Sequence, residues 1–169
     1  MTLPLILGID PGLRNLGLAR VRGRTVDRCT TMHTDAHTPL SVRLEELTEY
    51  VHGWATGAGA AWVQAIAYES QWQAQVGQHA RGKSTHKSAQ GLTVVGIIIG
   101  LARGLDLPLI ELTPAEVKAG VMCSARADKI QVKSAVRALC TNVPKITSQH
   151  ADDAIACAVA GGRRVPHAR

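Results

Sequence analysis

Leu5-Ile6-Leu7-Gly8-Ile9-Asp10-Pro11-Gly12 opens the chain with an unbroken apolar run, an acid and a turn dipeptide. An apolar run without alternation is what a strand covered on both faces requires, and Pro11-Gly12 stops it directly after Asp10. The rest of the chain is read outward from this buried strand with a carboxylate at its end. Residues 16–21 and 25–32 read as two more strands, with Gly23 at the hairpin turn between them. Leu40, Leu44, Leu47 and Val51 recur at helical spacing over residues 39–54. Residues 63–69 form a fourth strand that again ends in an acid, Glu69. A polar loop (70–87), a long helix (about 88–105) and a fifth strand (107–112) follow. Helices are then expected from Ala115, with Pro114 in a first-turn position, over 127–139, and from near Ser148. This order describes an α/β protein, a five-stranded mixed sheet flanked by helices. It is expected to be one domain over residues 1–160, followed by a basic flexible tail over 161–169 that contains Arg163, Arg164 and Arg169.

The composition agrees with a folded protein that meets a polyanion. At 169 residues and 46% hydrophobic, the chain is long enough to bury a core and too apolar to be disordered throughout. Nineteen Lys and Arg against thirteen Asp and Glu give a net charge of +6, which favours an anionic partner such as nucleic acid. Cys29, Cys123, Cys140 and Cys157 are scattered and form no C-x-x-C pair, as expected of reduced thiols in a cytoplasmic protein. The N-terminus has no basic segment or cleavage site. The most apolar stretch, residues 92–102, is too short to cross a bilayer and reads as a buried helix, so no membrane partner is expected.

Three groups of acids bear on function. Asp10 and Glu69 close two apolar strands, and a helical crossover between parallel neighbours would bring both to one edge of the sheet. Crowded carboxylates raise each other's pKa unless a cation sits between them. The third group, His150-Ala151-Asp152-Asp153, opens the last helix. His150 and Asp153 share a face at i and i+3, and Asp152 points about 100° away from Asp153. Acids in a first helical turn also complement the helix dipole, and the same dipole is expected to keep His150 neutral and free to ligate a metal.

Four segments in order carry a family resemblance. Residues 6–12 with Gly17, Ala67-Tyr68-Glu69, residues 127–132 and residues 151–156 resemble the RuvC family of dimeric Holliday-junction resolvases. The similarity spans roughly residues 5 to 160. It implies the RNase H-like fold and an active site of Asp10, Glu69, Asp153 and a residue one helical turn before it. Many relatives carry Asp at that third position, where this chain has His150, so Asp152 remains an alternative ligand, although helical geometry favours His150. Phosphodiester hydrolysis has to orient a water, balance charge on a pentavalent phosphate and stabilise a departing 3′-oxygen. Two Mg²⁺ or Mn²⁺ ions held by hard carboxylate oxygens can do all three, with Asp10 shared between them.

Further expectations concern binding and assembly. The loop over residues 78–87 carries Arg81, Lys83 and Lys87 directly after the Glu69 strand, which suits phosphate contact. The resemblance adds Lys118 and Lys129 as DNA contacts, and places Trp72 where relatives often stack an aromatic ring on an unpaired base. Ser70, Gln71, Gln73 and Gln75 surround Trp72, so no apolar pattern calls it inward, whereas Trp54 and Trp62 lie beside apolar segments and read as core. Gly96, Gly100 and Gly104 line one side of the long helix, which suggests close backbone approach on the chain's own sheet or in a homodimer. The expected partners are four-way junction DNA, a second copy of the chain and a branch-migration motor complex. The activity expected is paired symmetric nicking that leaves 5′-phosphate and 3′-hydroxyl ends. A related RNase H-like nuclease acting on RNA (YqgF-like) and a non-catalytic junction-binding module are the alternatives.

Overall fold

The computed structural model describes residues 2–57, 62–70 and 86–165. Its elements are β1 (Leu5–Asp10), β2 (Asn15–Arg22), β3 (Thr25–His33), α1 (Leu40–Thr56), β4 (Ala65–Glu69), α2 (His86–Gly104), β5 (Leu109–Leu112), α3 (Pro114–Gly120), α4 (Lys129–Leu139) and α5 (Gln149–Gly162). The sheet has the order β3-β2-β1-β4-β5. β1–β2 and β2–β3 pair antiparallel, and β1–β4 and β4–β5 pair parallel, so the expected mixed five-stranded sheet is present.

Several boundaries move for identifiable reasons. β5 starts at Leu109, two residues later than expected, because Pro108 has no N–H to give the ladder; its carbonyl accepts from Ile66 instead, at 2.9 Å. α4 starts at Lys129 because Asp128 is its N-cap, paired with Gln131 in a capping box. A second capping box, Thr113 with Glu116, starts α3, and Ser148 caps α5 by accepting from the Ala151 amide.

Two apolar cores sandwich the sheet. Leu5, Leu7 and Ile9 of β1, with Ile66 and Tyr68 of β4, join the core beneath α1 and α2. Ile6, Ala65 and Ala67 face the other way, into the core built around α5. The alternation of a strand therefore sets Ile6, Gly8 and Asp10 on the α5 side, together with Ala65, Ala67 and Glu69.

α5 lies very close to the sheet. Its alanines 151, 154, 156, 158 and 160 are all buried. A Cβ on Gly8 would collide with the Ala154 carbonyl oxygen and stand 2.6 Å from the Ala158 nitrogen, and one on Gly17 would collide with the His150 carbonyl. Glycine at these two positions is thus a steric requirement for the helix to sit where it does.

Three expectations are corrected. Gly161 and Gly162 belong to α5, with Gly161 packed on Ala67 and Ile6, and Arg164 bonds the Glu111 carbonyl at 3.3 Å and pairs with Glu116. The tail thus cannot begin at residue 161. Trp62 is 68% exposed, whereas Trp54 is buried beneath the Arg28 guanidinium, 4.2 Å from its ring centre. α2 is buried on one side only: Val94, Val95, Ile98 and Ala102 face the sheet, while Leu92, Ile99 and the three glycines are exposed, with open space where their Cβ atoms would be. None of the four cysteines is disulfide-bonded. No described helix is long and apolar enough to cross a membrane.

Candidate active site

The positions of the acids follow from the strand pairing. Ile9 pairs with Tyr68 across the parallel β1–β4 ladder, so Asp10 and Glu69 come next, side by side at the same end of the sheet and on its α5 face. Asp10 also pairs with Gly17 of β2, where the bare backbone admits the first turn of α5. That turn carries His150 and Asp153 over the acids. Asp10, Glu69, His150 and Asp153 line one cavity of about 420 Å³, with Lys118 from α3 and Lys129 from the start of α4 on its wall.

Crowding and burial dominate the electrostatics. Burial, then Asp10, then Asp153 push the Glu69 carboxyl up to about 7, against the pull of Lys118 and Lys129. Asp153 is also raised, first by burial and then by Asp10, although Gln149 Nε2 donates to its Oδ2 at 3.4 Å. Beneath them Cys157 is wholly buried and its thiol is pushed well up, so it stays protonated and inert.

His150 differs from expectation. Its Nδ1 is 2.7 Å from Asp10 Oδ2, and this hydrogen bond raises the imidazole pKa, outweighing burial. The dipole of α5 does not decide the charge of His150, because a carboxylate in direct contact is the stronger influence.

The alternative ligand Asp152 does not line the cavity. It is 1% exposed, accepts from Thr147 Oγ1 at 2.6 Å and lies 3.7 Å from Lys133 Nζ. Arg137 donates to the same Thr147 hydroxyl at 2.9 Å and to the Pro144 carbonyl at 3.3 Å, so this group ties α4 and the α4–α5 connection to α5. Sequence spacing separates Asp152 from Asp153 but does not show what Asp152 does, because Lys133 and Thr147 lie on other segments.

Three carboxylates and one imidazole form a donor set suited to a hard divalent cation. Among the described residues, no three such side chains already stand close enough together to enclose an ion; His150 instead closes on Asp10. Of the expected DNA contacts, Lys118 and Lys129 flank the cavity, and Lys118 Nζ donates to the Ala125 carbonyl at 3.1 Å. Trp72, Arg81 and Lys83 lie outside the described residues, as does the side chain of Lys87. Sequence reading missed the cavity walls Val117 and Val132, which show only as apolar positions of amphipathic helices.

Comparison with known proteins bears on the family and the fold. The family model described as crossover junction endodeoxyribonuclease RuvC matches residues 6–161. RuvC of Corynebacterium diphtheriae is 31% identical, over 95% of this chain and 94% of that one. RuvC of Methylobacterium radiotolerans is 33% identical, over 95% of this chain and 73% of that one. Among solved structures, Thermus thermophilus RuvC in complex with a Holliday junction substrate superposes with a TM-score of 0.79 at 20% identity, covering 93% of this chain and 92% of that chain. The yeast mitochondrial Holliday junction resolvase Ydc2 gives a TM-score of 0.60 at 12% identity, over 95% and 80% of the two chains. The structural likenesses establish a shared RNase H-like fold, and the match along nearly the whole sequence establishes more: the chain belongs to the RuvC family of crossover junction endodeoxyribonucleases.

Proposed function

We propose that this chain is a divalent-metal-dependent endonuclease that resolves Holliday junctions in recombination and repair by paired symmetric nicks. The observation that carries the proposal is the convergence of Asp10, Glu69, His150 and Asp153 on one cavity flanked by Lys118 and Lys129. Burial first, and then the neighbouring Asp10 and Asp153, push Glu69 up to about 7 despite Lys118 and Lys129, and a cation is what such a buried carboxylate cluster is suited to receive.

The four side chains would hold two Mg²⁺ or Mn²⁺ ions, with His150 leaving Asp10 to take part. Bound there, the ions supply a nucleophilic water and charge stabilisation for in-line displacement at phosphorus. Lys118 and Lys129 offset phosphate charge and hold the backbone against the cavity. Attack by water on phosphorus breaks the bond to the 3′-oxygen, leaving a 5′-phosphate and a 3′-hydroxyl that a ligase can seal.

Symmetric cutting requires two sites, and the exposed side of α2, with Gly96, Gly100 and Gly104 beside Leu92 and Ile99, supports a homodimer formed through that helix. A branch-migration motor complex is the further partner of this reading. Labelled four-way junction, linear duplex and structured RNA, each incubated with and without Mg²⁺ or Mn²⁺, test it. Metal-dependent paired nicking confined to the junction is expected. Asp10→Asn, Glu69→Gln and Asp153→Asn should each abolish nicking and leave junction affinity within a few-fold, since affinity comes mainly from cations facing phosphates. Cleavage of RNA in preference to the junction would overturn the proposal.

A further inference from the structure

The three most exposed large apolar side chains among the described residues are Ile146 at 93%, Ile130 at 77% and Met122 at 73%. Single exposed apolar residues are ordinary on any protein surface. Two of these, however, stand on the segments that carry Lys118 and Lys129 to the wall of the catalytic cavity. Ile130 follows Lys129 in the first turn of α4, whereas Ile146, in the connection that leads into α5, lines a separate cavity with Thr31 and Ser148. Met122 lies in the turn that folds back on α3, where its amide donates to Ala119 and the next amide donates to the Lys118 carbonyl at 2.9 Å.

Two details indicate that these residues are positioned rather than loose. Met122 adopts a left-handed backbone, φ +62°, which a side chain rarely takes and which glycine would fill at no cost. Ile130 stands on a helix whose start is fixed by the Asp128–Gln131 capping box. The Cys123 thiol contacts the Gln131 carbonyl at 3.7 Å, so the Met122 turn and the start of α4 form one surface. Arg126, exposed between them, adds a further cation.

A surface that alternates ammonium groups with bare aliphatic side chains matches a DNA strand. Phosphates meet the cations, while sugars and base edges offer apolar contact, most fully where stacking is interrupted. A protein partner would be served by the apolar groups alone and would leave the lysines unexplained. We propose that Met122 and Ile130 form an apolar brace that packs on the sugars and opened base edges of the junction strand flanking the scissile phosphate. Together with Lys118 and Lys129, the brace favours a branch point over continuous duplex. It rests on the reading of the chain as a junction nuclease.

The test compares junction and linear-duplex binding of the full chain and of two variants, Met122→Ser/Ile130→Ser and Ile146→Ser, over a series of salt concentrations with the metal replaced by Ca²⁺. The double variant should lose about tenfold in junction affinity, as expected for lost apolar burial, and stay within about twofold on duplex. Ile146→Ser, more exposed still but outside the brace, should bind the same substrate as the wild type does. The slope of log K against log salt should stay as in the wild type, whereas Lys129→Ala should lower its magnitude by about one. Melting temperatures should not move, since the side chains are already in water. In the double variant, unchanged junction affinity, equal loss on duplex, or a salt slope altered as in Lys129→Ala would each overturn the brace, as would an equal loss in Ile146→Ser. A wild type that does not prefer junctions would defeat the underlying reading instead, and that result is visible before any variant is made.

Discussion

Glu69→Gln should make the metal-free protein more stable at pH 8 while making it catalytically inert. Glu69 in the folded chain titrates near 7 against an ordinary 4.5, because burial, Asp10 and Asp153 all oppose its charge. At 1.36 kcal/mol per pH unit this lift corresponds to about 3 kcal/mol, and solvent reaching a partly buried side chain reduces it to roughly 2 kcal/mol. The sign follows from proton binding. Between pH 4.5 and 7 the folded Glu69 keeps a proton that the unfolded chain releases, so stability falls as pH rises through this window. Above about pH 7 the full penalty is present, and below pH 4.5 it is absent. Glutamine never ionises, so the variant escapes the penalty. Urea unfolding at pH 5, 6.5 and 8 with a chelator present should show the variant gaining about 2 kcal/mol at pH 8 and close to nothing at pH 5, with m-values unchanged. Adding Mn²⁺ at pH 8 should stabilise the wild type more than the variant, because binding to the folded state alone adds RT ln(1 + [M]/Kd). A stability difference that does not change with pH, or a variant weaker than wild type at pH 8, would refute this account of the acid cluster.

Three more outcomes follow from particular contacts. Gly8→Ala should cost about 3 kcal/mol or prevent folding, since its Cβ meets backbone atoms of α5 that cannot rotate away; a chemical denaturation curve measures this. Imidazole is a poorer ligand for Mg²⁺ than for Mn²⁺, so the wild type should cut junctions faster with Mn²⁺, and His150→Asp should narrow the gap in side-by-side rate measurements. Gly100→Leu should weaken dimerisation in sedimentation at micromolar concentration and leave the melting of the subunit nearly unchanged, because Gly100 faces open space in the single chain. A destabilised monomer would mean that Gly100 packs internally.

The order of elements and the shared helix face of His150 and Asp153 were legible because both depend on local spacing: apolar runs bounded by Pro and Gly, and an i, i+3 step on a helix. The face on which Asp10 emerges was not, since Leu5 to Ile9 is apolar on both sides and its alternation is invisible until the two cores are assigned to α1 and α2 or to α5. The direction of the His150 pKa shift was missed for a related reason. Its controlling partner, Asp10, is 140 residues away, and no local rule about helix ends includes such a contact. Gly96, Gly100 and Gly104 suggested close approach, yet they face away from the sheet, which periodicity in a helix apolar nearly all round does not reveal; the close approaches fall instead at Gly8 and Gly17, which the sequence did not mark. The end of α5 was placed too early because Gly161-Gly162-Arg163-Arg164 has the composition of a tail. Its anchors, Ala67, Ile6, Glu111 and Glu116, are all distant in sequence.

The seam between β1, β2 and α5 has a consequence for how this enzyme can change. It is made of glycine hydrogens, alanine methyls and backbone carbonyls, groups that possess no rotamers. A core of leucines absorbs a substitution by repacking, whereas here any added carbon moves the whole helix, and His150 and Asp153 move with it. Gly8, Gly17, Ala154 and Ala158 therefore constitute a single inherited gauge block that fixes the spacing of the reactive groups by its thickness. Drift in this lineage is free to alter the outer face of α1, whereas at the seam it is restricted to exchanges that leave the thickness constant.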